Sequence, residues 1–117
     1  MIVDDAPFMR SMLREIVEES GHEVAAEAAT GEEAVRLYRE HLPDLVTMDI
    51  TMPEMDGIHA LRNILRLNSK AKVIMCSAMG QQKLMVEAIS AGAKDFIMKP
   101  FQKDMVKEAI QHVLSKY

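Results

Sequence analysis

The feature that most constrains the fold of this chain is a regular alternation of short apolar runs with amphipathic helical patterns. The five apolar runs are Met1–Val3, Glu23–Ala28, Leu45–Asp49, Lys72–Cys76 and Asp95–Met98. After each run, apolar residues recur every three or four positions, which is the spacing of a helix with one buried face. This alternation predicts an α/β fold with a five-stranded parallel sheet, five helices on its two faces and right-handed crossovers.

Local signals mark where the helices begin and end. Pro7 suits a first helical turn and Gly21 a helix end, whereas Thr30 and Glu33 form a capping-box signature for a second helix that ends near His41. The remaining helices are predicted after Gly57, over Gln81–Ala91, and from Lys103 to the last residue.

Size and composition exclude several classes of protein. The chain has 117 residues, fewer than the roughly 150 of a typical domain, so we expect residues 1–117 to form a single domain. A net charge of −4 disfavours nucleic acid as a partner. No apolar run approaches the roughly 18 residues that span a membrane, and no leader segment is evident. The single cysteine suits a cytoplasmic protein without an internal disulfide.

Polar side chains collect where the predicted strands end. Asp4 and Asp5 follow the first strand, Asp49 ends the third, Ser77 follows the fourth, and Lys99 follows the fifth. The carboxyl ends of parallel strands meet at one edge of a sheet, so these residues are expected to converge there.

The chemistry of that set indicates phosphoryl transfer. Three crowded carboxylates repel one another unless a hard cation neutralises them, and Mg²⁺ fits a site with few carboxylates and a phosphate better than Ca²⁺ does. A lysine and a serine can bind phosphoryl oxygens, and an aspartate can accept a phosphoryl group. Taken singly, each residue also has an ordinary explanation: a helix N-cap for the aspartate pair, a turn for Asp49, a cap for Ser77 and a solvated charge for Lys99.

Four motifs together resemble the receiver domain of two-component response regulators. They are Ile2–Asp5, Asp49 within Met48–Gly57, Ser77-Ala78 and Lys99-Pro100. The segments most similar to the stand-alone chemotaxis members of that family are Met9-Arg10, Cys76–Gln82 and Ala93–Phe101. The resemblance spans nearly the whole chain, and it implies a flavodoxin-like, doubly wound sheet with strand order 2-1-3-4-5.

The resemblance also implies roles for the residues of the acidic cluster. Asp49 would accept the phosphoryl group from a histidine kinase. Asp5, Asp49 and the backbone carbonyl of Thr51 would bind Mg²⁺, and Asp4 would act through a water molecule.

Further roles concern the phosphoryl group and the output surface. The resemblance implies that Ser77 and Lys99 hold phosphoryl oxygens, and that Phe96 is an aromatic switch residue whose rotamer follows Ser77. The Lys99–Pro100 peptide bond would be cis.

The function expected from this resemblance is a phosphorylation switch rather than an enzyme with turnover. A monomer would change its affinity for a flagellar motor switch protein, and a phosphatase could reset it. The alternatives are a phosphorelay intermediate, an excised receiver of a transcriptional regulator, an aspartate-nucleophile phosphatase or a flavodoxin-type electron carrier. Thr51 argues against the phosphatase, because such enzymes generally carry an acid–base aspartate there. The scarcity of aromatic residues argues against flavin binding.

The sequence departs from the family pattern in two places. Met79 stands where some relatives have a polar side chain that orients the hydrolytic water, so we expect slow self-dephosphorylation. Only Met1, Ile2 and Val3 precede the aspartate pair, so we expect a truncated or weak first strand and reduced stability.

Methionine is unusually frequent, with 11 copies. Met9, Met12, Met75, Met98 and Met105 are predicted to fill the core, whereas Met48, Met52, Met55 and Met79 flank the predicted site without an assigned chemical role.

Overall fold

The structure is a computed structural model that describes all residues from Met1 to Tyr117. Its strands are β1 (Ile2–Val3), β2 (Glu27–Ala28), β3 (Val46–Asp49), β4 (Val73–Ser77) and β5 (Asp95–Met98). Its helices are α1 (Pro7–Glu19), α2 (Gly31–His41), α3 (Gly57–Leu67), α4 (Gln82–Ala91) and α5 (Lys103–Lys116). All strand pairs are parallel and their order is β2-β1-β3-β4-β5, which confirms the predicted fold and strand order.

Side chains buried on the two faces of the sheet form two hydrophobic cores. One core lies under α2, α3 and α4 and includes Tyr38, Met48, Leu61 and Met75. The other lies under α1 and α5 and includes Leu13. Because residues of β1 and β4 alternate between these cores, both faces hold the sheet rigid, and the carboxyl ends of its strands are fixed relative to one another.

Polar caps set the starts of two helices. The Thr30 hydroxyl accepts a hydrogen bond from the Glu33 amide at 3.1 Å, and the Glu33 carboxylate accepts one from the Ala29 amide at 2.8 Å. The start of α3 is capped by Asp56, whose carboxylate accepts a hydrogen bond from the His59 amide at 2.8 Å. Caps of this kind each contribute about 1 kcal/mol to helix stability.

Gly57 allows the loop after β3 to fold back over the end of that strand. Its amide donates a hydrogen bond to the Ile50 carbonyl at 2.8 Å. A Cβ atom at Gly57 would collide with the backbone carbonyl of Asp49. Only glycine therefore permits this close approach, which fixes the backbone that carries Asp49.

Two predictions about the core were wrong. Met98 is 38% exposed and Met105 is 57% exposed, although both were expected to be buried. Met98 belongs to β5, an edge strand with a neighbour on one side only, and Met105 lies on the part of α5 that borders an open groove beside that strand.

None of the five helices has the length and apolar character needed to cross a bilayer.

The second strand is shorter than predicted, because its partner is short. The sequence suggested Glu23–Ala28, but only Glu27–Ala28 pairs with β1. Ile2 still donates a hydrogen bond to the Ala26 carbonyl at 3.1 Å, whereas the backbone of residues 23–25 forms no hydrogen bond. The missing partner for this extended segment is the reason for the difference.

The amino group of Met1 lies in the position of a ladder amide. It donates a hydrogen bond to the Leu45 carbonyl at 2.8 Å. Burial lowers its pKa to about 6, although the nearby Asp44 carboxylate opposes the change. Folding therefore disfavours the charged ammonium, and a neutral peptide N–H would fit the same position without that cost.

We predict that three apolar, strand-forming residues added before Met1 raise the free energy of unfolding by roughly 1–3 kcal/mol, the value of one or two net hydrogen bonds. The extension would pair with residues 23–25 and would replace the Met1 ammonium with an amide. Thermal unfolding measures the change, and hydrogen exchange should show new protection of the Val24 and Ala26 amides, since the Ala26 carbonyl already faces β1. A Gly-Ser-Gly extension is the matched control, and equal melting midpoints for the two extensions would contradict the prediction.

Candidate functional site

Three carboxylates meet at the carboxyl ends of β1 and β3, as the sequence predicted. One oxygen from each of Asp4, Asp5 and Asp49 lies within 4.8 Å of the other two. Asp4 is fully buried, Asp49 is 6% exposed, and Asp5 is exposed to solvent. The cluster is therefore held firmly on its inner side and remains open to solvent through Asp5.

Asp4 is held by the start of α1. Its Oδ1 accepts a hydrogen bond from the Ala6 amide at 2.9 Å, and its backbone carbonyl accepts one from Arg10 Nη1 at 2.7 Å. The N-cap position of α1 is Ala6, which provides no side-chain cap. The aspartate pair therefore does not cap this helix, and the simplest non-functional explanation for the pair does not apply.

Lys99, directly after β5, bridges two of the carboxylates. Its Nζ lies 3.0 Å from Asp4 Oδ2 and 3.3 Å from Asp49 Oδ1. Burial alone would lower the pKa of Lys99, but the hydrogen bond and ion pair with Asp4, together with the charge of Asp49, outweigh burial and raise it. Lys99 is therefore a fixed positive charge. The Lys99–Pro100 peptide bond is cis, as expected.

One ammonium does not balance three carboxylates. Burial raises the pKa of Asp49 to about 6, and the charge of Asp4 adds to this rise while Lys99 opposes it. Asp4 Oδ2 is buried, and its polar partner is the Lys99 ammonium at 3.0 Å. The arrangement leaves excess negative charge on closely spaced oxygen atoms.

The carboxylate cluster fits a small divalent cation. Its donors are all oxygens, which hard cations such as Mg²⁺ prefer, and only a few protein ligands are present, as is usual for an ion that keeps several waters. Asp4 and Asp5 follow β1 and Asp49 ends β3, so two neighbouring strands build the cluster.

Ser77 is the last residue of β4 and not the first residue after it. It is fully buried, and its Oγ lies 2.9 Å from the sulfur of Met85 and 3.3 Å from the sulfur of Met98. The fold thus brings Ser77 to the predicted edge of the sheet. There its hydroxyl, which has a single proton, donates a hydrogen bond to one or the other of these methionine sulfur atoms.

A side-chain amide that the sequence did not single out connects two loops beside the cluster. Gln81 Nε2 donates a hydrogen bond to the Thr51 hydroxyl at 2.7 Å, and Gln81 Oε1 accepts one from the Ala78 amide at 2.7 Å. Thr51 follows β3 and Ala78 follows β4, so Gln81 ties together the two loops that border the site. No sequence motif marks this bridge, because it depends on how the loops fold.

Phe96 is not part of the carboxylate cluster. It is 40% exposed and lines, with Met98, Met105 and His112, a groove of about 810 Å³ between β5 and α5. Met79, the other departure noted in the sequence, is 88% exposed. Ser77 and Phe96 thus lie on neighbouring strands, one buried near the cluster and the other open to solvent.

Comparison with known proteins agrees with this geometry. The family model described as "Response regulator receiver domain" matches residues 1–111. The chemotaxis protein CheY of Bacillus subtilis is 61% identical over 115 residues, which is 98% of this chain and 96% of the relative. CheY of Thermotoga maritima is 59% identical over 113 residues, which is 97% of this chain and 94% of the relative.

A solved structure shares both the fold and much of the sequence. In the CheX–CheY–BeF3–Mg²⁺ complex from Borrelia burgdorferi, the matching chain has a TM-score of 0.91 and 44% identity, and the match covers 96% of this chain and 85% of that one. The strand order, the acidic cluster and these relatives agree, and the chain belongs to the response regulator receiver domain family, with CheY chemotaxis proteins as its relatives.

Proposed function

We propose that this protein is a phosphorylation switch in which Asp49 accepts a phosphoryl group with the help of Mg²⁺. The observation that carries the proposal is the ammonium of Lys99 between the carboxylates of Asp4 and Asp49. A carboxylate, a fixed positive charge and an acidic cluster lie together at one edge of the sheet, which supports an acceptor oxygen beside a cation site. Phosphoryl transfer depends mainly on such positioning and on charge neutralisation.

In the proposed reaction, a carboxylate oxygen of Asp49 attacks the phosphorus atom of the donor. The bond from phosphorus to the donor atom breaks, and the leaving group departs with that bonding pair. Lys99, already within 3.3 Å of Asp49, neutralises the phosphoryl oxygens. Asp5, Asp49 and the Thr51 carbonyl would hold Mg²⁺ directly and Asp4 would act through a water molecule, and the bound ion would neutralise negative charge on the phosphoryl group.

Ser77 and Phe96 convert phosphorylation into a surface change. The Ser77 hydroxyl leaves its sulfur partners and donates a hydrogen bond to a phosphoryl oxygen, which is a far stronger acceptor than a thioether. Ser77 lies opposite Met98 in the β4–β5 register, and Phe96 is two residues away on the same side of β5. A rearrangement at Ser77 therefore reaches the aromatic side chain through directly neighbouring residues.

The proposed partners follow from the relatives. Since proteins named CheY are 59–61% identical over nearly the whole chain, the phosphoryl donor is a histidine kinase and the output partner a flagellar motor switch protein. Thr51 supports a switch over a phosphatase with turnover, because its side chain is no acid–base carboxylate and is hydrogen-bonded to Gln81.

We predict that acetyl phosphate with Mg²⁺ labels Asp49 with one phosphoryl group per chain. Mass spectrometry measures the stoichiometry, and Asp49→Asn should abolish the label because the amide is not a nucleophile. Asp56→Asn is a matched control from the same loop, since asparagine also caps a helix and position 56 lies outside the carboxylate cluster. Sustained release of phosphate without a stable label would indicate an enzyme and contradict the switch.

We predict that Mg²⁺ stabilises the protein more strongly near pH 8 than near pH 5. In the metal-free protein the pKa of Asp49 is raised to about 6, above the ~3.9 of an unfolded aspartate. The folded state therefore binds more protons than the unfolded state between these two pKa values, and the free energy of unfolding falls as the pH rises from one to the other. At high pH, Mg²⁺ relieves the repulsion among the ionised carboxylates of the cluster. At low pH, a proton on Asp49 competes with Mg²⁺ for the same oxygen atoms.

At a hundredfold excess over its Kd, Mg²⁺ should add about 2.7 kcal/mol to the free energy of unfolding. Thermal unfolding with Mg²⁺ or with EDTA at both pH values measures the effect. Asp5→Asn is the test variant, because Asp5 is exposed and its loss removes a ligand without opening the core. Identical midpoints with and without Mg²⁺ at high pH would rule out the cation site.

We predict that Met79→Glu accelerates loss of the phosphoryl group from Asp49 by roughly tenfold. A well-placed acid–base side chain accelerates a reaction by roughly a hundredfold or more. We expect a smaller acceleration here, because residue 79 is 88% exposed and its side chain is not held in one position. Decay of the acyl phosphate after removal of the donor measures the rate. Met79→Gln separates hydrogen bonding to the attacking water from proton transfer, and an unchanged rate in both variants would show that this position does not control hydrolysis.

A further inference from the structure

We propose that Met98 is a reversible oxidation site, at which conversion of its thioether to the sulfoxide weakens the phosphorylated state by retaining the Ser77 hydroxyl. The inference rests on the role of Ser77 proposed above. It assigns a chemical role to Met98, which the sequence analysis expected only to fill the core.

The hydrogen bonds of Ser77 carry the inference. Its hydroxyl lies fully buried between two sulfur atoms, Met85 Sδ at 2.9 Å and Met98 Sδ at 3.3 Å. A thioether is a weak acceptor, so the hydroxyl can exchange it for a phosphoryl oxygen at little cost. The readiness of Ser77 to move therefore depends on the sulfur atoms remaining unoxidised.

Exposure distinguishes the two methionines. Met85 is partly buried and packs against the core under α2, α3 and α4. Met98 is 38% exposed and lines the open groove between β5 and α5. Met98 thus contacts a buried hydroxyl on one side and borders solvent on the other, so a small oxidant dissolved in water reaches it more readily than Met85.

The proposed oxidant is a peroxide. The Met98 sulfur attacks one oxygen of hydrogen peroxide, the O–O bond breaks, and a sulfur–oxygen bond forms. Sulfur is oxidised to the sulfoxide, and the peroxide is reduced to one water molecule. Methionine sulfoxide reductases reverse this change, so the site could be reset.

The sulfoxide changes the competition for the Ser77 hydroxyl. Its oxygen is a polar acceptor, whereas the thioether accepts hydrogen bonds only weakly. Ser77 and Met98 are direct partners in the β4–β5 register, and the Met98 side chain has three rotatable bonds, so a rotation of this side chain brings the new oxygen to the hydroxyl. The hydroxyl must then give up a stronger hydrogen bond before it can reach a phosphoryl oxygen, and phosphorylation becomes less favourable.

The test uses beryllofluoride as a stable phosphoryl mimic. The full chain is treated with hydrogen peroxide, peptide mass spectrometry locates each sulfoxide, and calorimetry measures beryllofluoride affinity in the presence of Mg²⁺. We expect oxidation of Met98 to weaken binding roughly fivefold, the value of one ordinary hydrogen bond. Treatment with methionine sulfoxide reductases should restore the original affinity.

Variants separate Met98 from other methionines. Met79 and Met105 are 88% and 57% exposed and will oxidise readily, so the experiment is repeated in a Met79→Leu, Met105→Leu background, where the loss of affinity should persist. Met98→Leu conserves volume and should bind beryllofluoride normally but lose its sensitivity to peroxide. Thermal unfolding of each sample shows whether the fold survives oxidation.

Three results would overturn the inference. They are an unchanged affinity when Met98 carries the sulfoxide, absence of the sulfoxide at Met98 when Met79 is oxidised, and equal sensitivity of Met98→Leu to peroxide. Failure of the proposed function looks different, because untreated protein would then neither bind beryllofluoride nor accept a phosphoryl group on Asp49.

Discussion

The ammonium of Lys99 between Asp4 and Asp49 is the interaction on which the site depends. It allows two buried carboxylates to face each other at the edge of the sheet, where repulsion would otherwise drive one of them to take up a proton. The compensation is incomplete, since burial and the charge of Asp4 outweigh Lys99 and raise the pKa of Asp49 to about 6. A site with excess negative charge favours a cation, and together with that cation it can accept the further negative charge of a phosphoryl group.

Much of this could be predicted from the sequence, because parallel strands bring their carboxyl ends together. Asp4, Asp49, Ser77 and Lys99 are far apart along the chain, yet each lies at the end of a strand, so the alternating pattern was enough to place them at one edge. The motifs then allowed the strand order to be predicted, and the structure confirms it. The positions of these residues could be predicted because each strand and the polar residue at its end are recognisable from a short stretch of sequence.

Other features could not be predicted, because they depend on packing between distant elements. No pattern in the sequence predicts the contacts of Ser77 with Met85 and Met98. The same is true of the hydrogen bond from Gln81 to Thr51. Met98 was expected in the core because it ends an apolar run, but the run forms an edge strand. The second strand was predicted too long, since the length of a strand is set by its partner as well as by its own residues.

The edge position of β5 connects the charge balance to the protein surface. Lys99 follows this strand directly and reaches into the carboxylate cluster, whereas Met98 and Phe96, inside the strand, border solvent. A central strand would be covered on both sides, and its side chains could not respond to the cluster and to a partner at once. Because β5 has a neighbour on one side only, a change at Lys99 or Ser77 needs to pass through just a few residues before it alters an exposed surface. The soft methionine contacts around Ser77 suit this arrangement, since weak acceptors hold the hydroxyl in place without preventing its release.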